Sequence, residues 1–421
     1  MADDFLRAGE GAGAPSFSCS IACADETGAT SDSAVPVVVD EMSGNQLRSS
    51  ETTCTVCEAD GRDGAVEDDA SGEKKPPRPE FFDACFRQKR KKGKYRLVEP
   101  PLLESPVVDT HAHVVTLRNP ALELARCALS GVDFVVCMED VKEPWERTYE
   151  GMDAWRAEAA RLLPGVRENT LAALEEADAA WAVHYRDEFA HRTAEMVESP
   201  DACMQALPHL RIAIGCHPHN ASYYNDALER TLVSCLKDPR VCGLGEVGLD
   251  YHYDFSPRDV QREVFRRQIR LAHETGLPLI LHLREAHDDA LQIMREEGFP
   301  AGGTLLHCFN LDRETLAPWL EEDCYVAIGG PVTFKTFDDL RAAVREVPAD
   351  RLLTETDSPY MTPEPMRGSL CGPAHTIFTA ARLAEERGFA PGDARTAFLK
   401  RLHDNARALL DREPTTWQCG A

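Results

Sequence analysis

The sequence predicts an α/β protein, a closed (β/α)8 barrel of eight parallel strands surrounded by helices. Short apolar runs alternate with helical patterns from residue 106 onward, which is typical of parallel βαβ units. There are eight such runs, the number that closes a barrel. Acidic and histidine clusters follow several of the runs directly. Because functional residues of such barrels collect at the carboxyl ends of the strands, the position of the clusters supports the same fold.

Each strand is predicted from a short apolar run bounded by polar or turn residues. The predicted strands are 107–112, 132–138, 210–216, 243–249, 279–283, 304–307, 325–329 and 352–355. Between and after them, amphipathic patterns predict helices. These helices are 121–130, 223–236, 257–275, 286–297, 311–322, 337–346, 374–388 and 392–410.

The connection between the second and third strands does not fit this rhythm. About seventy residues separate Met138 from Leu210, where a compact barrel needs perhaps a third of that number. Strong helix formers fill residues 172–197. We therefore expect a helical insertion at about 140–208. Whether it covers the catalytic face or enlarges the outer helix layer stays open at this point.

The segments outside the barrel differ in composition. Residues 1–85 are rich in small and acidic residues and are predicted to be a disordered acidic tail. Residues 86–104 are predicted to be a basic linker, 105–412 the barrel domain and 413–421 a C-terminal tail. The basic run at 87–94 is typical of a solvated linker; phosphate contact and a localisation signal are the alternatives.

Cysteine spacing in the tail leaves two interpretations. Cys54 and Cys57, with Cys19 and Cys23, have the number of thiolates that a structural zinc site needs. The simpler interpretation is unpaired thiols, because no apolar shell accompanies them. In the barrel region Cys127, Cys137, Cys242 and Cys324 stand among apolar neighbours and are interpreted as small core residues.

Charge and composition restrict the classes of partner. The formal net charge is −25, so the surface as a whole repels nucleic acid and anionic membranes. Residues 1–80 carry 17 acidic and 6 basic side chains, which is −11 of the total and leaves −14 for the rest. A local basic or metal-centred field is therefore needed for an anionic substrate. No secretory or membrane-spanning run is present in the sequence, and we expect a cytoplasmic protein.

The first strand ends in a pattern suited to metal binding. Period-two alternation puts Asp109, His111 and His113 on one face of an extended strand. Imidazole and carboxylate together suit divalent cations such as Mg, Mn or Zn, and such mixed sets commonly serve two adjacent ions. A lone histidine at a strand end is more often an ordinary hydrogen-bonded residue. Several clusters at successive strand ends favour the metal interpretation.

The motifs at the strand ends together resemble the TatD family of metal-dependent hydrolases. The resemblance covers about residues 105–412. It rests on DTHAH at 109–113, GCHPH at 215–219, GEVGLDY at 245–251, LPLILHLREA at 277–286, LHCF at 306–309, PVTFK at 331–335 and ETDSPY at 355–360.

The resemblance implies two divalent metal ions. It implies that His111, His113 and Asp357 hold one ion, that Glu246 bridges to a second, and that His282 and His307 complete the second set. A carboxylate is well suited to bridge two divalent ions. Glu246 and Asp357 are the expected catalytic residues, with Asp357 as the candidate proton acceptor. Asp250 is expected to support the loop that follows Glu246.

Four further residues are candidates for substrate binding: His217, Arg284, Lys335 and Arg367. His217 is interpreted as a phosphate contact or outer ligand, or alternatively as a hydrogen-bond donor that fixes its loop. Arg284 is either a phosphate contact or part of a structural salt bridge. The sequence departs from the family near Arg367, where 369–373 replace the usual basic stretch. The substrate rim therefore does not follow from the resemblance.

The expected function is a metal-dependent phosphodiesterase, a 3′-to-5′ deoxyribonuclease that takes the ends of single-stranded DNA. Hydrolysis of another bond, in an ester, lactone or amide, is the alternative, since one barrel with one metal centre hosts many chemistries. A non-enzymatic binding protein is the third class, and the complete ligand set argues against it.

Overall fold

A computed structural model describes residues 85–89 and 95–420. Their main feature is an eight-stranded parallel sheet. It contains β3 (Val107–Ala112), β4 (Val132–Asp140), β5 (His209–Gly215), β6 (Val241–Asp250), β7 (Leu279–Arg284), β8 (Thr304–Leu306), β9 (Tyr325–Ile328) and β10 (Leu352–Thr354). Neighbours in the sheet are neighbours in sequence from β3 to β10. The short β1 (Arg87–Lys89) and β2 (Tyr95–Leu97) pair separately and antiparallel.

The sheet closes into a barrel where β10 meets β3. The backbone NH of Asp357 donates to His111 O at 2.9 Å, and that of His113 donates to Ser358 O at 2.8 Å. Deeper in the barrel, the hydroxyl of Thr354 donates to Val108 O at 2.7 Å. The predicted eight-stranded barrel is confirmed, and each observed strand overlaps its predicted range.

Helices surround the sheet. They are α1 (Pro120–Ser130), α2 (Glu146–Glu175), α3 (Ala180–Arg192), α4 (Pro200–Ala206), α5 (Asp226–Cys235), α6 (Arg258–Thr275), α7 (His287–Glu297), α8 (Arg313–Glu321), α9 (Asp338–Val344), α10 (Thr376–Glu386) and α11 (Asp393–Leu410). Within the described part of the chain, no helix combines the length and the apolar character that crossing a bilayer requires.

Two sets of buried side chains follow from strand alternation. One fills the barrel interior and includes Val108, Val136 and Ile280; the C-terminal turn of α11 joins it through Leu409. The other lies between strands and helices. Cys127, Cys137, Cys242 and Cys324 are all buried and free, as predicted for core residues. The cysteines of the proposed zinc site, like most of the predicted acidic tail, lie outside the described residues.

The insertion between β4 and β5 is helical, as predicted, and it enlarges the outer layer. Its helices are α2, α3 and α4, and α2 packs against α1. Ala159 and Leu163 of α2 are fully buried. The helices extend beyond residues 172–197, since α2 already begins at Glu146. Buried contacts along α2 stabilise this helix.

Residues on the amino-terminal side of the barrel are packed against it. Cys85 and Phe86 are buried. The ring of Phe86 meets that of Phe378 on α10 edge to face, with centroids 5.5 Å apart, and the backbone NH of Cys85 donates to the hydroxyl of Thr170 on α2 at 3.0 Å. Residues 85 and 86 therefore belong to the packed part of the described chain.

A histidine and carboxylate centre at the carboxyl ends of the strands

The first and last barrel strands bring His111, His113 and Asp357 together. His111, the penultimate residue of β3, is fully buried, and His113 is the first residue after this strand. Nε2 of His113 lies 3.4 Å from Oδ1 of Asp357, and Nε2 of His111 lies 3.9 Å from the same oxygen. Asp357 has φ of +57°, an uncommon conformation for a residue with a side chain. One donor atom from each of the three lies within 4.8 Å of the others.

Glu246, from β6, stands between two pairs of histidines. Its Oε2 lies 3.3 Å from Nε2 of His111 and 3.6 Å from Nε2 of His113. Its Oε1 lies 2.7 Å from Nδ1 of His282 and 3.1 Å from Nε2 of His307. The side chain is buried. Each carboxylate oxygen therefore faces a different pair, the arrangement that a carboxylate bridging two cations requires.

Histidines and carboxylates in the centre shift one another's pKa values. Burial raises the pKa of Glu246, but His307 and His111 outweigh burial and hold this pKa well below its ordinary value. Burial lowers the pKa of His307, yet Glu355 and Glu246 raise it well above its ordinary value. Among the described residues, neither ring nitrogen of His111 has a hydrogen-bond partner, although both are buried. Such nitrogens cost free energy unless they bind something.

This donor set fits divalent metal ions. Imidazole nitrogens and carboxylate oxygens suit Zn, Mn and related ions, and coordination would satisfy one of the two unpartnered nitrogens of His111. A second observation is that two of the histidines contact further carboxylates. Nε2 of His282 lies 3.2 Å from Oδ2 of Asp250, and Nδ1 of His307 lies 3.3 Å from Oε2 of Glu355. Carboxylates in this position fix the tautomer and orientation of ligating histidines.

Asp250 has the expected supporting role and a further one. Its Oδ1 accepts hydrogen bonds from the backbone NH groups of His252 and Tyr253, both at 3.0 Å. Its Oδ2 faces His282 and also lies 2.8 Å from Nε2 of His219. Burial raises the pKa of Asp250, but the hydrogen bonds from His219 and His282 keep this pKa below its ordinary value.

Asp109 does not join the cluster, although strand alternation predicts that it shares a face with His111 and His113. Its carboxylate accepts from the backbone NH of Thr356 at 2.8 Å, from the Thr356 hydroxyl at 2.5 Å and from the backbone NH of His111 at 3.2 Å. The reason is depth: residues two apart on a strand differ by about 6.6 Å along it. Asp109 therefore joins the first and last strands beneath the site.

Two residues near the centre were not singled out from the sequence. Glu355 lies in the ETD motif next to Asp357, and its Oε1 accepts from the backbone NH of Cys308 at 2.6 Å. Cys308 brings its sulfur within 4.8 Å of donor atoms of His307 and Asp357. Burial raises the pKa of this thiol well above its ordinary value. Both residues lie inside quoted motifs, Cys308 in LHCF and Glu355 in ETDSPY, and that position was the available signal.

His217 lies at the centre rather than at its rim. A ring nitrogen of His217 lies within 4.8 Å of donor atoms of Glu246 and His282, with Nε2 3.8 Å from Oε1 of Glu246. Its Nδ1 accepts from the backbone NH of His219 at 3.2 Å, so the ring fixes its loop as an acceptor and not as a donor. Burial lowers the pKa of His217 well below its ordinary value, which favours the neutral ring.

The three predicted basic contacts lie in exposed positions after different strands. Arg284 ends β7, with its guanidinium 4.6 Å from the ring centroid of Tyr253. No carboxylate in the described ranges forms a salt bridge with it. Arg367 follows β10, and its guanidinium lies 4.3 Å from the ring centroid of Phe334. Lys335, the residue after Phe334, is exposed. Within the described residues, the side chains of Arg284, Lys335 and Arg367 make no hydrogen bond, ion pair or ring contact with the histidine cluster.

Comparisons with known proteins agree with the geometry. The family model for TatD related DNase matches residues 108–410. The chain is 40% identical over 194 residues to the uncharacterized metal-dependent hydrolase YabD of Bacillus subtilis, covering 46% of this chain and 73% of YabD. It is 38% identical over 166 residues to the human 3′-5′ RNA nuclease TATDN2, covering 39% of this chain and 22% of that protein.

The fold has a solved counterpart. The crystal structure of YJJV, a TatD homologue from Escherichia coli, superimposes with a TM-score of 0.54 at 21% identity. The match covers 73% of this chain and 98% of that one. This likeness concerns the barrel fold.

Proposed function

The chain belongs to the TatD related DNase family of metal-dependent hydrolases, and from that premise we propose that it is a 3′-to-5′ deoxyribonuclease acting on the ends of single-stranded DNA. The observation that carries the proposal is the position of Glu246, whose two oxygens face two separate histidine pairs. This arrangement suits two divalent ions, and hydrolysis of phosphodiesters commonly uses two.

Each proposed ligand has a place in this scheme. His111, His113 and Asp357 would hold one ion, His282 and His307 would hold the other, and Glu246 would serve both. Bound divalent ions lower the pKa of a water molecule and neutralise charge on a phosphoryl oxygen. Supporting carboxylates orient the rings: Asp250 faces His282 and Glu355 faces His307.

Asp357 is the proposed proton acceptor. Burial raises the pKa of Asp357, but His113 and His307 outweigh burial and keep the carboxyl ionised. Its side chain is 15% exposed, so a water molecule can reach it. An ionised, partly accessible carboxylate can take the proton that the attacking water loses.

Substrate phosphate is assigned to the neutral ring of His217 and to three cations around the centre. His217 lies beside Glu246 and His282 and contacts the phosphate nearest the ions. Arg284 is exposed and free of salt bridges within the described residues, so its charge is available for the next phosphate. Lys335 and Arg367 follow β9 and β10 and extend the basic rim. Few such contacts suffice for an enzyme that works from chain ends.

A second candidate is hydrolysis of an ester, lactone or amide. The observation that favours it is the segment after Arg367, where residues 369–373 are uncharged and Leu370 is 57% exposed. A phosphate-binding rim would place cations there. The human RNA nuclease among the relatives supports a phosphodiester substrate instead.

The deciding experiment offers the full-length protein several substrates with Mg, Mn or Zn in turn. We expect 5′-labelled single-stranded DNA to shorten from its 3′ end. RNA, simple esters and simple amides are tested as alternative substrates. Chelation abolishes cleavage, the divalent ion restores it, and inorganic phosphate competes with the substrate. Asp357→Asn and His282→Ala abolish cleavage, whereas Asp323→Asn, which removes an exposed acid paired with Arg351, does not.

The result that contradicts the proposal is equally definite. A metal-loaded protein that shortens neither nucleic acid, yet cleaves an ester or amide without inhibition by phosphate, is the second candidate and not a nuclease.

A further inference from the structure

Exposed hydrophobic side chains gather on the face of the barrel that carries the metal centre. Among the described residues, all large exposed hydrophobics except Val183 lie in loops that follow barrel strands at their carboxyl ends. They are Tyr223, Tyr253, Phe255, Leu311, Tyr360, Met361 and Leu370. Exposed apolar side chains that lie together often mark a site where a ligand or a partner binds.

Tyr253 and Phe255 form a stacked pair in the loop after β6. Their ring centroids are 5.3 Å apart and their planes differ by 15°. Tyr253 is covered further by Arg284, whose guanidinium lies 4.6 Å from its ring centroid. Phe255 is the more exposed member, at 60% against 44% for Tyr253. Arg284, Tyr253 and Phe255 are called the aromatic platform below.

The loop that presents the platform is firmly held. Asp250 accepts from the backbone of Tyr253. The side-chain amide of Gln261 donates to Asp250 O at 3.0 Å and to Ser256 O at 2.8 Å. Ser256 is fully buried, and its hydroxyl donates to His219 O at 2.9 Å. The two rings are therefore exposed on a backbone that hydrogen bonds hold in place.

The platform adjoins the proposed ligand His282 through one intervening side chain. The ring of His219 meets Phe255 at a centroid distance of 4.8 Å and Tyr253 at 5.5 Å. On its other side, the ring centroid of His219 is 6.2 Å from that of His282. A ligand whose phosphate lies at the metal centre can thus place an attached ring on the platform.

We propose that the aromatic platform binds an unpaired nucleobase of the substrate strand, stacked on the exposed face of Phe255, next to the phosphodiester that is cleaved. The inference rests on the proposed nuclease function. A nucleotide of the strand is the occupant that fits, because its base offers a flat π surface to Phe255 and its phosphate suits Arg284 and the metal centre. Stacking of this kind accepts every base and requires that the base be unpaired, which selects single strands.

The test combines a protein variant with a modified substrate. Full-length wild type and Phe255→Ala are compared on DNA oligonucleotides, and in parallel on RNA, with either an intact base or an abasic site in the nucleotide at the 3′ end or the one before it. Removing the ring or removing the base at the stacked position each raises KM roughly tenfold. Both changes together also raise KM roughly tenfold, and not a hundredfold, because they remove the same contact.

Two further variants make the result specific. Phe255→Trp keeps an aromatic surface and retains a KM close to that of wild type on the intact strand. Val183→Ala removes a side chain of similar exposure, 56%, from the insertion and keeps the wild-type KM. Phe255 is exposed, so its replacement leaves the core intact; melting curves confirm that each variant is folded.

The outcomes separate this inference from the function on which it rests. If wild type shortens strands but Phe255→Ala keeps its KM, or the two losses multiply, the platform does not bind a base although the enzyme is a nuclease. A metal-loaded wild type that shortens no strand overturns both proposals.

Discussion

Oδ2 of Asp250 lies 3.2 Å from Nε2 of His282, while Nδ1 of the same ring lies 2.7 Å from Oε1 of Glu246. One histidine thus connects a supporting carboxylate to the proposed bridging carboxylate. With a metal ion bound, the proton of a neutral His282 would lie on Nε2, facing Asp250, and the lone pair of Nδ1 would be available to the ion.

Asp250→Asn tests this relationship. The asparagine oxygen still accepts from the backbone of His252 and Tyr253, but an NH₂ group faces Nε2 of His282 and favours the other tautomer. We expect metal affinity to fall by about 10- to 100-fold with the fold unchanged, as measured by titration of the metal-free protein. Asp254→Asn, in the same loop but paired with Arg258, is the control. Equal affinities for the two variants would show that Asp250 only holds its loop.

Glu246→Gln tests the bridge. The amide has the shape of the carboxylate but not its charge, and it offers one oxygen where two are used. Metal content and turnover should fall together, turnover by at least about a hundredfold. Elemental analysis of the purified variant beside wild type gives the metal content. Two tightly bound ions in an active variant would mean that Glu246 is not the bridge.

His375 makes stability depend on pH. Burial, and to a lesser degree the charge of Arg126, lowers the pKa of His375 to about 3. Its Nδ1 accepts a hydrogen bond from the backbone NH of Gly372 at 2.8 Å. The ordinary value in the unfolded chain is about 6.5. Since the unfolded chain binds the proton first, this contribution is complete above pH 6.5 and is lost as pH falls toward 3, by about 1.4 kcal/mol per pH unit.

The variant His375→Asn keeps an acceptor for Gly372 and cannot take up that proton. Its free energy of unfolding, from urea titrations between pH 7 and 4.5, should fall less steeply than that of wild type. His184→Asn, at an exposed position on α3, serves as the control. Parallel curves for His375→Asn and wild type would exclude His375 as the source of the slope.

Leu163→Ala measures how far the insertion is part of the barrel. Leu163 on α2 is fully buried, so the truncation removes apolar contacts and leaves a cavity. We expect a loss of about 2–5 kcal/mol in the free energy of unfolding in a single transition. The neighbouring Leu162 is half-buried, and Leu162→Ala should cost less. An unchanged main transition with an early separate one would show that the insertion unfolds independently.

Two truncations test the amino-terminal boundary. Removal of residues 1–80 deletes no proposed ligand and no described core residue, so turnover should stay within about threefold. Removal of residues 1–98 also deletes the buried Cys85, Phe86 and Val98, and the melting temperature should fall. Loss of turnover by a hundredfold in the shorter deletion, with the circular dichroism of wild type, would assign the first segment a role in catalysis.

The barrel was predictable because its signals are local. An apolar run with polar boundaries marks each strand, so the prediction of 107–112 coincides with β3, and most other strand boundaries agree within a few residues. The order of the strands around the barrel follows from the short connections between them. The motifs at strand ends also predicted which histidines and carboxylates meet, since carboxyl ends of parallel strands share one face of the barrel.

The sequence alone determined the strands, their order and most of the histidines and carboxylates that lie together at the strand ends, although it did not single out Glu355 or Cys308. Only the tertiary structure decided the roles that depend on depth and direction. Asp109 binds Thr356 beneath the site, whereas His111, two residues later, reaches Glu246. Tyr253 and Phe255 are exposed although large aromatic side chains are more often buried. The physical reason is that periodicity assigns a side chain to a face, but its partners come from distant segments that only the closed barrel brings together.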